Sequence, residues 1–83
     1  NGSPDLAVEI VDDNDPPGAI EARVQQYLAS GSTLVWVADP LYRRVIVYQP
    51  HGSFLSVGQN DALTGGVTLP GFSVTVGDFF RYR

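Results

Sequence analysis

LVWVA, residues 34–38, is the stretch on which the fold turns. Five consecutive apolar residues without alternation, rich in β-formers, are the mark of a strand covered on both faces. No apolar run in the chain is longer, and roughly 20 residues are needed to span a bilayer. No charged-then-apolar leader opens the chain. These features predict a soluble, cytoplasmic protein.

Working back from LVWVA, the segment AIEARVQQYLASG (residues 19–31) places Ile20, Val24, Tyr27 and Leu28 on one helical stripe. Gly31 stands where a left-handed C-terminal cap belongs. Upstream lies DDNDPPG, residues 12–18, a cluster of turn formers in which Asp15 suits a helix N-cap and Pro16 the first helical position. Further back, Leu6, Val8 and Ile10 point to one face of a strand and Asp5, Ala7, Glu9 and Val11 to the other, which predicts that the Leu6 face is the buried one. Strand, helix and buried strand in succession make a βαβ unit, so residues 6–11 and 34–38 are expected to run parallel in one sheet.

Forward of LVWVA the pattern changes to short strands and tight turns. VIVY (45–48), a turn over Gln49–Ser53 and FLSV (54–57) read as an antiparallel meander. Two more β segments flank Gly65-Gly66 and Pro70-Gly71, and Phe79 and Phe80 form the apolar side of a terminal turn or short helix. The fold class expected is α/β, a mixed sheet with one main helix, as a single domain over residues 1–83. A domain of this size buries only somewhat over half of the surface its unfolded chain exposes. With 43% apolar and 17% charged residues it still belongs among globular chains rather than disordered ones.

Composition also narrows the chemistry. Cysteine is absent, which removes disulfides and thiolate metal sites. Lysine is absent too, and a formal charge of −4 with scattered arginines gives no basic footprint for nucleic acid. His51 is a lone histidine in a Pro-His-Gly turn, with no second histidine for a metal set or triad. Asn1-Gly2-Ser3 is formally a glycosylation sequon, read here as accidental. Asp12, Asp13 and Asp15 lack the spacing of a calcium loop and are explained by capping and the helix dipole. Trp36 and Tyr48, inside β runs, are core residues rather than base-stacking platforms.

Two carboxylates remain. Asp5 and Glu9 lie four apart on one strand face, about 13 Å at a rise of roughly 3.3 Å per residue, so they cannot share one metal ion. Glu9, mid-strand among apolar neighbours, is the costlier to bury without a partner, while Asp5 at the strand entrance can stay wet. Glu9 is therefore the candidate ligand or catalytic acid, against the alternative of a solvated strand face. Arg23 lies beside the apolar stripe of the helix, where its stem can follow the sheet and its head reach around the helix edge.

Taken in order, PDLAVEIV, ARVQQYLASG, LVWVADP, VIVY, LTGGVTLPGFSVTV and DFF resemble a large bacterial family of restriction-endonuclease-like proteins within the PD-(D/E)XK nuclease superfamily. The resemblance runs from Pro4 to Phe80 and corresponds to the C-terminal half of a typical member. It implies a restriction-endonuclease-like mixed sheet and Mg²⁺-dependent hydrolysis of DNA phosphodiesters. The family's strand acid falls on Glu9, its first metal-binding aspartate comes from an upstream hairpin, and Mg²⁺ would be held by Glu9 and a backbone carbonyl such as that of Ile10. The superfamily's strand lysine would fall on Val11. The resembling family instead takes a lysine from the helix four residues before a tyrosine, and four before Tyr27 stands Arg23. Asp5 and Tyr27 are secondary candidates. An arginine can neutralise charge on a phosphate, but its guanidinium stays protonated at any working pH, so it cannot act as a general base. The resemblance thus implies a divergent nuclease-like protein, weakly active or inactive as this chain alone. The alternative is a non-catalytic remnant of the fold that serves as a protein-interaction module. An exposed sheet edge further predicts association with a second copy or with an N-terminal segment.

Overall fold

The computed structural model describes residues 5–66 and 68–81, the side chain of His51 aside. The sequon at Asn1 and Pro4 lie outside the described residues. Strand β1 (Leu6–Ile10) leads through helix α1 (Ala19–Ala29) to β2 (Leu34–Asp39), and the meander continues with β3 (Arg44–Tyr48), one 3₁₀ turn (Pro50–Gly52) and β4 (Phe54–Val57). A hairpin of β5 (Ala62–Gly65) and β6 (Leu69–Thr75) then runs into the short helix α2 (Val76–Arg81). The main sheet is four-stranded in the order β1-β2-β3-β4, and β5-β6 form a separate two-stranded sheet. β1 and β2 are parallel, with Glu9 opposite Val37, and the other pairs of the main sheet are antiparallel. The βαβ unit and the meander are as the sequence predicts.

LVWVA is buried on both faces because each has its own cover. Val35 and Val37 meet Ala7 and Val24, with Ile20, Tyr27, Leu28, Ile46 and Tyr48 around them, which docks α1 on one face. Leu34, Trp36 and Ala38 pack on the other with Val45, Val47, Val57, Leu63 and Val76, closed by Phe79 and Phe80 of α2. Trp36 is a core residue, as expected, whereas Tyr48 is only partly buried, packed against the α1 cluster.

Two local expectations fail for physical reasons. Helix α1 begins at Ala19 behind Gly18 in a left-handed conformation (φ 81°), not at Pro16. Pro17 bars Pro16 from the helical region, and Asp15 turns its carboxylate to the Asp12 amide at 3.0 Å instead of capping α1. The buried face of β1 is also the opposite one. Ala7 is enclosed under α1, whereas Val8 and Ile10 are 44% and 38% exposed. β1 is an edge strand, and of its Leu6 face only Leu6 joins the second core.

The far end of α1 follows the sequence. Gly31 has φ 109°, its amide donates to the Leu28 carbonyl and the Ser32 amide to the Tyr27 carbonyl, a Schellman cap. Among the described residues no helix is long and apolar enough to cross a membrane.

Candidate functional site

Because α1 lies over the Ala7–Glu9–Val11 face of β1, Glu9 points under the helix edge and Arg23, one residue before the buried Val24, reaches down to it. Arg23 Nε donates to Glu9 Oε1 at 2.8 Å, and its Nη2 donates to Asp15 Oδ1 at 3.4 Å. The Glu9 side chain is 15% exposed and that of Arg23 38%, so the pair sits at the boundary between core and solvent. The hydrogen bond that Arg23 donates to Glu9 and the negative charge of that acid, with a smaller contribution from Asp15, hold the Arg23 guanidinium pKa above its ordinary value against the opposing effect of desolvation. Arg23 is a permanent cation here.

A second acid shares this face. Asp39 ends β2 two residues beyond Val37, the partner of Glu9. Strand spacing and rise put its Cα about 8 Å from that of Glu9. It too meets an arginine, Arg44, at 3.8 Å, and it accepts the Tyr42 amide at 3.3 Å. Asp12 and Asp15 are drawn into a closed turn, in which the Asn14 amide donates to Asp12 Oδ1 and the Asp15 amide to the Asp12 carbonyl.

The remaining sequence candidates fall in different places. The Asp5 carboxylate is exposed, away from Glu9, and it is the main-chain carbonyl of Asp5 that works, accepting the Thr33 and Leu34 amides. Tyr27 packs in the α1 cluster one turn past Arg23. The Val11 amide donates to Ala38 and the Asp5 carbonyl accepts from Leu34. Peptide groups of the odd-numbered residues therefore face β2, and by the alternation of a parallel ladder the Ile10 carbonyl faces the open edge of β1. Asp15 and Asp39 were not singled out by the sequence as partners of this site. Strand parity could have found Asp39, since it shares the face of Val35 and Val37 once β1 and β2 are aligned. Asp15 carried no such signal.

A sequence profile described as "Putative restriction endonuclease", the Uma2 family, matches residues 1–77. The chain belongs to the Uma2 family. No curated protein matches this Uma2 chain. Among solved structures it is similar to the crystal structure of a "putative nuclease belonging to DUF820" from Anabaena variabilis ATCC 29413, at 18% identity with a TM-score of 0.85. That match covers 96% of this chain and 45% of the other. At such identity the match establishes a shared fold, and the chain spans less than half the length of that neighbour.

The restriction-endonuclease-like family generally works with divalent metals. Among the described residues no three His, Cys, Asp or Glu side chains converge on a point that could hold one. Glu9 and Asp15 share a guanidinium and Asp39 has its own. These residues do not by themselves form a metal cage; what they supply is one strand acid with a cation on it.

Proposed function

We propose that this Uma2 chain carries the acid-and-cation half of a centre that hydrolyses DNA phosphodiesters. The observation that carries the reading is the 2.8 Å contact between Arg23 Nε and Glu9 Oε1, which brings a permanent cation onto the strand acid from a neighbouring element. In this reading Glu9 and the outward Ile10 carbonyl are the ligands the chain offers to a divalent ion, Mg²⁺ by preference for oxygen. A further acid would join them at the open edge of β1. Arg23 swings from Glu9 to the scissile phosphate and spreads its charge over two oxygens. It cannot take a proton from water, so the chain alone is a slow catalyst.

A second reading rests on the same contact. Glu9 and Asp39 each already pair with an arginine, without metal or substrate, as suits a non-catalytic remnant of the fold that binds other proteins.

Plasmid nicking at low salt with Mg²⁺ or Mn²⁺ separates the two. The hydrolytic reading expects slow conversion of supercoiled to nicked circles by the unaltered chain, faster conversion by Arg23→Lys, and none by Glu9→Ala. Equal traces from all three would refute it and leave the interaction module.

A further inference from the structure

We propose that the β4 edge is a self-association surface, on which a second copy of this chain pairs antiparallel through a two-fold axis at Leu55. β4 is the last strand of the main sheet, so its outer backbone groups have no strand partner among the described residues. Two of its apolar side chains stand in solvent, Phe54 at 67% and Leu55 at 64% exposure. Protected edges carry charges, prolines or bulges. This one carries none: no Asp, Glu, Lys or Arg occurs from Val45 to Asn60.

That neutrality identifies the occupant. The chain has a formal charge of −4, and a second copy carries the same. At the other edge of the sheet, β1 carries Glu9 and is flanked by Asp5, Asp12 and Asp13. Antiparallel self-pairing there would set the acids of one copy against those of the other. Of the two edges of the main sheet, only β4 lets two identical chains meet without like charges opposed; the β6 edge, also uncharged, is interrupted by Pro70.

The backbone fixes the register. The Gln49 amide donates to the Ser53 carbonyl, and Tyr48 lies opposite Phe54 and Val47 opposite Leu55. By the alternation of an antiparallel ladder, Ser53, Leu55 and Val57 bond to β3, while Phe54 and Ser56 direct their amides and carbonyls outward. A two-fold axis normal to the sheet pairs only residues of the same face. Three registers remain, with Phe54, Leu55 or Ser56 on the axis; the Phe54 register calls on Gly52, which is held in the 3₁₀ turn rather than in the strand, and this leaves Leu55 opposite Leu55 or Ser56 opposite Ser56. The second requires Gly58 to bond across the axis. Its amide already donates to Asp61 Oδ2 at 3.3 Å, and its carbonyl accepts the Asp61 amide. The Leu55 register asks only for the outward groups of Phe54 and Ser56. It also lays Phe54, already packed on Tyr48 at 5.7 Å between ring centroids, over the small Ser56 of the second copy.

The test is sedimentation equilibrium of the chain across a concentration series, with far-UV circular dichroism to confirm folding. The unaltered chain is expected to reach twice its 9.0 kDa mass. Leu55→Lys, at an exposed position, is expected to weaken association by ~100-fold, from loss of two buried leucines, and Leu55→Glu likewise. An equimolar mixture of the two variants is expected to recover the dimer, because lysine then faces glutamate across the axis. A chain that stays monomeric at millimolar concentration, a Leu55→Lys dimer as tight as the original, or a mixture that fails to recover would each overturn the proposal.

Discussion

Val24→Ala tests whether α1 is held to the sheet by its apolar stripe, and with it the placement of Arg23 over Glu9. Val24 is fully buried, the only residue of α1 that is, and packs with Ala7, Val35 and Val37. The substitution removes two carbon groups at about 0.8 kcal/mol each, about 1.6 kcal/mol, before any cavity is counted. Alanine is the better helix former and returns about 0.5 kcal/mol. With the cavity included, the expected loss is about 1.5–2 kcal/mol, a fall in melting temperature of roughly 6–16 °C for a domain of this size. Urea and thermal unfolding followed by circular dichroism measure it, with exposed Gln25→Ala as a control expected within about 0.5 kcal/mol. A Val24→Ala change no larger than the control would refute the docking that brings the ion pair together.

Substitutions at two further positions test the turns that set the strands. Gly65 sits at a register break in the β5–β6 hairpin, and a Cβ there would lie 2.7 Å from the Leu69 carbonyl oxygen; Gly65→Ala should cost about 2 kcal/mol in chemical unfolding, and a neutral result would mean the hairpin closes differently. Arg43, in the β2–β3 turn, has φ 50°; Arg43→Val should destabilise by about 1–2 kcal/mol while Arg43→Asn stays near neutral, because β-branching is penalised in the left-handed region and asparagine tolerates it.

The parts of the fold legible in the sequence were those set by local pattern. LVWVA announced a two-sided strand, the 3.6-residue stripe of Ile20, Val24, Tyr27 and Leu28 announced α1, and Gly31 its end. Misread features depended on tertiary cover. The alternation of β1 revealed two faces but not which one α1 would cover, and the sheet placed it on Ala7 and Glu9, leaving Val8 and Ile10 in solvent. Asp15 and Pro16 signal a helix start that Pro17 disfavours, because the residue before a proline is kept from the helical region, and α1 begins at Ala19. At the site, helical direction alone brought Arg23 toward the sheet. Its contact with Asp15 depends on a turn whose side-chain bonds no periodicity encodes.

The charge of the site bears on what could complete it. Glu9 and Asp15 against Arg23 leave one net negative charge. Guanidinium pairing with a raised pKa is stabilising below arginine's ordinary pKa and is lost only at still more alkaline pH, so Arg23 supplies the same positive charge throughout the working range. A further carboxylate arriving at the β1 edge would bring the total to two negative charges, which is costly beside a half-buried strand acid and equals the charge of one divalent ion. On the hydrolytic reading, metal and that further acid are therefore expected to bind together rather than separately, with the arginine neutralising Glu9 until both are present. The same reasoning separates the two sheet edges: the acidic β1 edge admits a chain only with a compensating cation, whereas the uncharged β4 edge admits a second copy without one.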